Sequence, residues 1–195
     1  MLRPEICEAI IEEVKSFESW CDVNELTNLR PNSMNSYGVI LDNFGFEDCL
    51  QKLMEGVVVP FARQLFADVG GASLDKHHGF TVEYAVRKDV ELGFHVDASD
   101  VTLNVCLGRD FQGGDLYFRG IRCDLCTQTE ARPEEEFAIS QVVGRAILHR
   151  GRHRHGARPV RAGERHNLIL WCNSSSYAAA LDPERCPSWC QSSPE

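Results

Sequence analysis

"FTVEYAVRKDVELGFHVDASDVTLNVCL", residues 80–107, contains two short runs, "FTVEYAV" and "VTLNVCL", that are rich in β-branched and aromatic residues. Runs of this length and composition predict β-strands. Three later runs share the pattern: "GDLYF" at 114–118, "RAILH" at 145–149 and "HNLILW" at 166–171. Glycines at 108, 113, 114, 144, 151 and 163 mark turns between these runs. Short strands bounded by such turn signals are typical of an antiparallel sandwich or barrel.

The residues before this β-rich region have helical periodicity. Pro4 suits the first turn of a helix, and Ile6, Ile10, Val14 and Phe17 recur at helical spacing, so a helix is predicted over residues 4–18. Residues 21–45 predict a loop with a short strand at 38–41.

A second helix is predicted from Glu47 to Val69, and Pro60 should kink or split it. Its predicted apolar face is formed by Leu50, Leu53, Met54, Val57, Phe61 and Leu65. Helices followed by strands predict an α+β domain in which the helices support one face of a sheet. We expect one domain over 1–195, with helical support at 1–70, a strand-rich core at about 78–175 and a tail at 176–195. The charged segment 119–137 predicts a surface loop.

Composition narrows the function classes. The net charge of −9 disfavours nucleic acid as an electrostatic partner. The longest apolar run, "GVVVPFA" at 56–62, is far shorter than the roughly 20 residues of a membrane span. The first residues lack the basic and apolar regions of a secretory signal. We therefore expect no membrane association and a cytoplasmic or nuclear location.

Nine cysteines, an odd number with scattered spacing, argue against a secreted disulfide framework. Two pairs are close in sequence, Cys123-x-x-Cys126 and Cys186-x-x-x-Cys190. They could form one structural zinc site or lie in two loops with unrelated thiols.

The segment "LGFHVDASD" places His95 and Asp97 two residues apart. Residues at this spacing point to the same side of an extended strand, so an imidazole and a carboxylate can reach one metal ion. A second histidine from elsewhere would complete a two-histidine, one-carboxylate triad, which suits non-haem Fe(II). Taken alone, H-x-D also fits a solvated polar strand end.

A later stretch, "HRGRHRHGARPVRAGERHNLILW" at 149–171, offers histidines at 149, 153, 155 and 166. It then presents a proline-containing turn, a glycine turn and Arg165 at the start of a strand. An arginine fork binds a carboxylate through two hydrogen bonds, a geometry that lysine cannot match. These residues suit an iron site with a dicarboxylate cosubstrate.

Together these motifs resemble the Fe(II)- and 2-oxoglutarate-dependent dioxygenases of the prolyl 4-hydroxylase type. The stretches "LGFHVDASDVTLNVCLGRDFQGGDLYFRG" and "HRGRHRHGARPVRAGERHNLILWC" are most similar to one branch, the 2-oxoglutarate and iron-dependent oxygenase domain-containing proteins of plants and animals. The likeness covers roughly residues 80–175 and is weaker in the preceding helices. It implies a double-stranded β-helix, or jelly roll, with N-terminal supporting helices.

The family's H-x-x-x-P-x-x-x-G-x-R pattern selects the distal histidine. His155 lies ten residues before Arg165, with Pro159 and Gly163 at the matching positions. The resemblance therefore implies that His95, Asp97 and His155 hold iron and that Arg165 pairs with the distal carboxylate of 2-oxoglutarate. For His149 and His153 we expect a structural or surface role.

Strand alternation suggests further residues of the pocket. If Arg165 faces the cavity, then Asn167, Ile169 and Trp171 share its face. Thr102, Asn104 and Cys106 are the polar alternates of "VTLNVCL" and are candidate lining residues. The hydroxylases often have a tyrosine near position 106, where this chain has Cys106. Tyr84 could supply that hydroxyl instead, or could equally be a core tyrosine.

The resemblance implies Fe(II) as cofactor, 2-oxoglutarate and O₂ as cosubstrates, L-ascorbate as reductant, and succinate and CO₂ as coproducts. The expected reaction is hydroxylation of a C–H bond, with a protein or peptide side chain such as proline favoured over a small molecule. The oligomeric state is left open.

Two other functions fit parts of the sequence. One is nucleic-acid demethylation of the AlkB type, which uses the same iron triad. Its R-x-N-x-x-x-R signature fails here because Trp171 stands where the second arginine would be, so nucleic acid is disfavoured. The other is a jelly-roll binding module without activity, although all four key residues are present. Most of the arginines at 150, 152, 154, 158 and 161 are expected to face solvent.

Overall fold

The computed structural model describes residues 2–192. In this range nine strands form two antiparallel sheets: β1 Lys76–Ala85, β2 Leu92–His95, β3 Val101–Gly108, β4 Phe111–Gly113, β5 Leu116–Ile121, β6 Glu136–Ile139, β7 Ala146–Arg150, β8 His153–Ala157 and β9 Val160–Asn173. The larger sheet has the order β1-β9-β3-β7, with β4 also paired to β9, and the smaller has the order β2-β8-β5-β6. The architecture is the predicted α+β jelly roll with N-terminal helices.

The molecule has three layers. Apolar residues on the outer face of the larger sheet, such as Leu103 and Leu170, pack against helical residues such as Ile11 and Leu50. A second apolar cluster fills the space between the sheets, where Phe80 packs near Phe118. The helices therefore cover one face of the larger sheet, as predicted, and the other face is turned towards the smaller sheet.

The helices are α1 Pro4–Val23, α2 Glu47–Leu53, α3 Val59–Leu65 and α4 Ser175–Ala180. The first extends five residues beyond its predicted end. The predicted second helix is divided by one wide turn at Met54–Val58 before Pro60, which lies in the first turn of α3.

This wide turn changes which side chains of α3 are buried. The predicted apolar face is correct at Leu50 and Met54, but its later members Val57, Phe61 and Leu65 are exposed. Val58 and Ala62 are buried in their place. A turn with i→i+5 hydrogen bonds holds more residues than an ordinary helical turn. The buried face therefore advances by one residue along the sequence.

The short strand predicted at 38–41 is present only as a single bridge between Ile40 and Phe80. The chain nevertheless runs along the edge of β1, because Val39 and Tyr37 accept backbone hydrogen bonds from Thr81 and Glu83 at 2.9 and 3.1 Å. Leu41–Phe44 then turns away in a short 3₁₀ helix.

The segment 119–137 is more ordered than the predicted surface loop. Strand β5 extends to Ile121 and β6 begins at Glu136. Between them, Arg122 and Glu135 form a buried ion pair at 2.8 Å. The hydrogen bonds from Arg122, helped by those from Arg132, outweigh the effect of burial and lower the pKa of Glu135 to about 2.

Strands β2, β4, β6 and β8 were not predicted. Each has only three to five residues, and their sequences are rich in glycine, histidine or charged residues. Residues 193–195 of the predicted tail lie outside the described residues. Within 2–192, no helix has both the length and the apolar character needed to cross a bilayer.

The shifted face of the second helical segment can be tested with neighbouring valines. Val58→Ala removes two buried methyl groups at a fully buried site, so we expect a loss of about 1.5–2.5 kcal/mol of unfolding free energy. Val57 is 42% exposed, and Val57→Ala should change stability by less than about 0.5 kcal/mol. Helix propensity favours alanine equally at both positions. Urea unfolding midpoints measure the difference, and equal destabilisation would contradict the observed face.

Candidate metal and cosubstrate site

His95 and His155 lie directly opposite each other on paired strands. His95 ends β2 and His155 is the middle residue of β8, and the two are register partners with ring centroids 4.3 Å apart. Asp97 follows two residues after His95, in the irregular segment beyond β2. One ligand atom of each of the three side chains lies within 4.8 Å of the others. The structure thus brings together the three residues that were predicted to form the triad.

Backbone carbonyls orient both imidazoles. His95 Nδ1 donates to the Gly93 carbonyl at 2.8 Å, and His155 Nδ1 donates to the His153 carbonyl at 2.9 Å. Since a carbonyl only accepts, Nδ1 carries the proton in both rings. Each Nε2 then presents a lone pair, the form in which histidine binds metals. These Nε2 atoms lie 3.5 and 3.7 Å from Asp97 Oδ1, too far for strong hydrogen bonds.

The carboxylate of Asp97 is buried and held on its other side. Thr102 Oγ1 donates to Asp97 Oδ2 at 2.7 Å, and Thr102 is itself bonded to Ser99. Burial raises the pKa of Asp97. The neighbouring histidines, His155 foremost, and Thr102 lower it by a larger amount, so its pKa lies below the usual value and the carboxylate is charged. Burial also lowers the pKa of His155 to about 3, which keeps its ring neutral.

These donors fit a divalent metal. Two imidazoles and one charged carboxylate converge on one point, and their opposite sides are fixed by carbonyls and a hydroxyl. Fixed outer contacts of this kind orient metal ligands in proteins. Two nitrogens and one carboxylate are the ligand set that suits non-haem Fe(II).

Arg165 is a buried cation without an anionic partner. It is 1% exposed, its Nη1 donates to the Gly114 carbonyl, and its guanidinium carbon lies 4.4 Å from the centre of the Tyr84 ring. Its buried Nε has no hydrogen-bond partner, and within 2–192 no carboxylate pairs with it. Burial lowers the pKa of Arg165. An anionic ligand would offset the cost of keeping this charge inside the protein.

The triad and Arg165 open into the same cleft, which encloses about 440 Å³ including its mouth. Its walls include most of the residues that were predicted for the pocket, among them Tyr84, Thr102, Asn104 and Trp171. Asn167 also lines it and donates to Asn104 at 2.7 Å. Cys106 is buried but is not among the lining residues, so its predicted place in the pocket is wrong. It lies at the far end of β3, where the ladder with β9 is irregular.

Two lining residues retain unsatisfied polar atoms. Asn167 Oδ1 and Trp171 Nε1 are buried without hydrogen-bond partners. Buried polar groups are normally bonded, so these atoms, with Arg165 Nε, mark the cleft as a place for a polar ligand.

His149 is a neighbour of the site that sequence reasoning did not place there. It is 4% exposed, and its Nε2 lies 3.9 Å from Asp97 Oδ2 without a hydrogen bond. Its ring packs edge-on against His155 with centroids 4.7 Å apart. The cross-strand pairing of Thr102 with His149 explains this position, but it becomes visible only when the β3–β7 register is known. His153 is half-buried and packs against Phe118.

The arginines near His155 are less exposed than predicted. Only Arg158 and Arg161 are exposed. Arg150 and Arg152 pair with acidic residues, and Arg154 is buried. The prediction that most of them face solvent is wrong because ion pairs hold Arg150 and Arg152 against the protein, and the segment at 127–129 covers Arg154 and accepts its hydrogen bonds.

The fold and the cleft define a class. A jelly roll that holds a histidine–aspartate–histidine cluster and a buried arginine in one cavity has the architecture of the iron- and 2-oxoglutarate-dependent oxygenases. The structure aligns with a crystal structure of a Pseudomonas putida prolyl-4-hydroxylase with a TM-score of 0.59, at 19% identity, over 89% of this chain and 88% of the other. At this identity the likeness concerns the fold.

The chain is similar over nearly its whole length to two curated proteins that share a name. The chain is 51% identical over 191 residues, 97% of its length, to the 2-oxoglutarate and iron-dependent oxygenase domain-containing protein ICU11 of Arabidopsis thaliana. It is 41% identical over 92% of its length to the human 2-oxoglutarate and iron-dependent oxygenase domain-containing protein 2. Residues 1–71 match the OGFOD2-like domain family.

The resemblance predicted from the motifs is therefore confirmed, and it also includes the N-terminal helices. The chain spans about half the length of these two relatives, 48% and 49% respectively.

The hydroxyl of Thr102 gives a test of the cluster as a metal site. Thr102→Val removes the hydrogen bond to Asp97, and losing such an outer contact typically lowers metal affinity about 10–100-fold. Thr102→Ser keeps the hydroxyl and should bind nearly as well as the unaltered chain. Titration with Mn(II) or Co(II) measures both. Equal affinities in the valine and serine variants would remove Thr102 from this role.

Proposed function

We propose that this chain is a dioxygenase domain that uses Fe(II), 2-oxoglutarate and O₂ to hydroxylate a C–H bond, with succinate and CO₂ as coproducts. The observation that carries the proposal is the presence, in one cleft, of the converging His95, Asp97 and His155 and of the buried, unpaired Arg165. The first group suits a metal and the second suits a carboxylate.

In this proposal His95, Asp97 and His155 hold the iron, which supplies activation of O₂ when it is bound. The chain contributes orientation. Carbonyls fix the two imidazoles, Thr102 fixes the carboxylate, and Arg165 binds the distal carboxylate of 2-oxoglutarate against the Tyr84 ring. Asn104, Asn167 and Trp171 bound the cosubstrate cavity, and Trp171 packs edge-on against Phe80 at 4.9 Å. This wall keeps water from the reacting atoms.

For the substrate we propose a protein side chain, with proline the first candidate. The name of the structural relative, a prolyl-4-hydroxylase, supports this class, and the acidic charge of the chain disfavours nucleic acid as the alternative. Ascorbate is proposed as the reductant that maintains Fe(II), by analogy with that class. The predicted cytoplasmic or nuclear location stays a prediction.

A nucleic-acid demethylase is the second candidate, because it uses the same triad. The contacts of the arginines near the site count against it: Arg150 and Arg152 are paired with Asp68 and Asp124, and Arg154 with backbone carbonyls. Phosphate binding needs basic side chains that are available at the surface. Trp171 also occupies the position of the second signature arginine.

The choice of His155 over His153 as distal ligand gives a matched pair of variants. His155→Ala removes a ligand atom, so turnover should fall below detection. His153→Ala should retain most turnover, since His153 supports the site through its backbone carbonyl, which alanine keeps. Succinate release with Fe(II), 2-oxoglutarate and ascorbate measures both variants after circular dichroism has confirmed their folding. A similar loss in both would refute the assignment.

Replacing Arg165 by lysine separates cosubstrate binding from metal binding. An ammonium cannot replace the fork, and losing one charge-assisted hydrogen bond costs about 1.5–3 kcal/mol. The KM for 2-oxoglutarate should therefore rise roughly tenfold to a hundredfold, while Mn(II) affinity stays nearly unchanged. An unaltered KM would mean that the cosubstrate binds elsewhere.

The substrate class is tested by coupled turnover on two pools, proline- and lysine-containing peptides and methylated oligonucleotides. We expect a mass increase of one oxygen on a peptide, and no demethylation at any salt concentration. Demethylation as fast as the best peptide reaction would overturn the proposed substrate class. The iron and 2-oxoglutarate assignments would survive that result.

A further inference from the structure

Four cysteines outside the cleft come together from two distant segments. Cys123 and Cys126 follow β5, and Cys186 and Cys190 lie 60 or more residues later, after α4. Their Sγ atoms all lie within 4.8 Å of one another. Cys123 and Cys190 are buried, and Cys126 and Cys186 are partly buried.

The separations between these sulfurs match a shared metal ion. Cys186 Sγ lies 3.5 Å from Cys123 Sγ and 3.8 Å from Cys126 Sγ. Ligands about 2.3 Å from a tetrahedral zinc ion stand roughly 3.8 Å apart. A disulfide would bring two sulfurs to about 2.05 Å and would leave the other thiols crowded against it.

The backbone around the cluster is arranged for thiolates. The Cys123 N–H points to Cys190 Sγ at 3.4 Å. Cys126 N–H bonds to the Cys123 carbonyl, which closes the first pair in a tight turn, and Cys190 N–H bonds to the Pro187 carbonyl in a second turn that follows Cys186. N–H donors directed at sulfur stabilise its negative charge. We propose that Cys123, Cys126, Cys186 and Cys190 form a structural zinc site.

The site would fasten the C-terminal segment to the end of β5. Gln191 and Ile121 exchange two hydrogen bonds, from the Gln191 N–H to the Ile121 carbonyl at 3.1 Å and from the Ile121 N–H to Gln191 Oε1 at 2.7 Å. Thr129 and Ser192 hydroxyls are 2.6 Å apart. These contacts are few and partly exposed, so a metal that joins the two segments supplies the strongest link between them.

The turn at residues 123–129, which carries the first cysteine pair, also supports the strand that carries His155. Arg154 donates to the carbonyls of Thr127 and Thr129 at 3.1 and 2.8 Å, and to that of Arg119 at 3.1 Å. The zinc would therefore hold the turn against which β8 is anchored, one residue away from a proposed iron ligand. With all four positions occupied by sulfur, the site is closed to substrates and has a structural role. This inference does not depend on the proposed dioxygenase activity.

Elemental analysis of the purified full chain tests the site. Because the cleft can also take up zinc, the measurement is made on a His95→Ala/Asp97→Ala background, where we expect one zinc per chain. Adding Cys126→Ser should abolish that zinc, whereas adding the exposed Cys49→Ser should leave it in place. Unchanged zinc in the Cys126→Ser variant would overturn the proposal, as would iron in place of zinc on the control.

A second measurement covers the possibility that the cysteine variant misfolds. The background protein, stripped with a chelator under reducing conditions and reloaded with Co(II), should show the intense charge-transfer and visible bands of tetrahedral tetrathiolate cobalt. It should also recover the melting temperature lost on stripping. Absence of these bands, or a non-reducing mass that shows two disulfides in the freshly purified chain, would overturn the zinc site.

Discussion

The register of β9 is the constraint on which both the core and the cleft depend. This strand pairs with β1, β3 and β4. Leu168, Leu170 and Cys172 lie in the cluster under the helices, while Arg165, Asn167 and Trp171 line the cleft. A slip of one residue would exchange these two sets. It would place a guanidinium among the aliphatic side chains of the helical layer. The register that buries the apolar residues of β9 therefore also directs its functional residues into the cleft, so that core packing and site geometry select the same register.

Much of this arrangement could be predicted from sequence because it follows from local spacing. The step of two between His95 and Asp97 and the step of ten between His155 and Arg165 depend on a single strand or turn. The alternation on β3 and β9 correctly placed Thr102, Asn104 and Trp171 in the cleft. It failed at Cys106, which still pairs in register with Asn167 but is buried outside the residues that line the cleft.

Features that depend on long-range pairing could not be predicted. Strand β8 has five residues, among them two histidines and an arginine, and only its neighbours β2 and β5 make it a strand. The burial of Arg154 and the closeness of His149 to Asp97 follow from that sheet and from the β3–β7 register. The buried face of α3 depends on one wide turn that leaves no clear mark in the sequence. The spacing of the four cysteines allowed a shared site, but only the fold brings the two pairs together.

The segment at 37–40 affects the tendency of the protein to aggregate. A sheet edge with free backbone groups is a template on which another chain can add a strand and begin to aggregate. At the β1 edge, the amides of Thr81 and Glu83 are already satisfied by Val39 and Tyr37. Gly38 makes this possible, since a side chain there would collide with the Thr81 carbonyl and its φ of +132° suits glycine. A few residues without regular structure thus cover this edge of the larger sheet and hinder the addition of a strand from another chain.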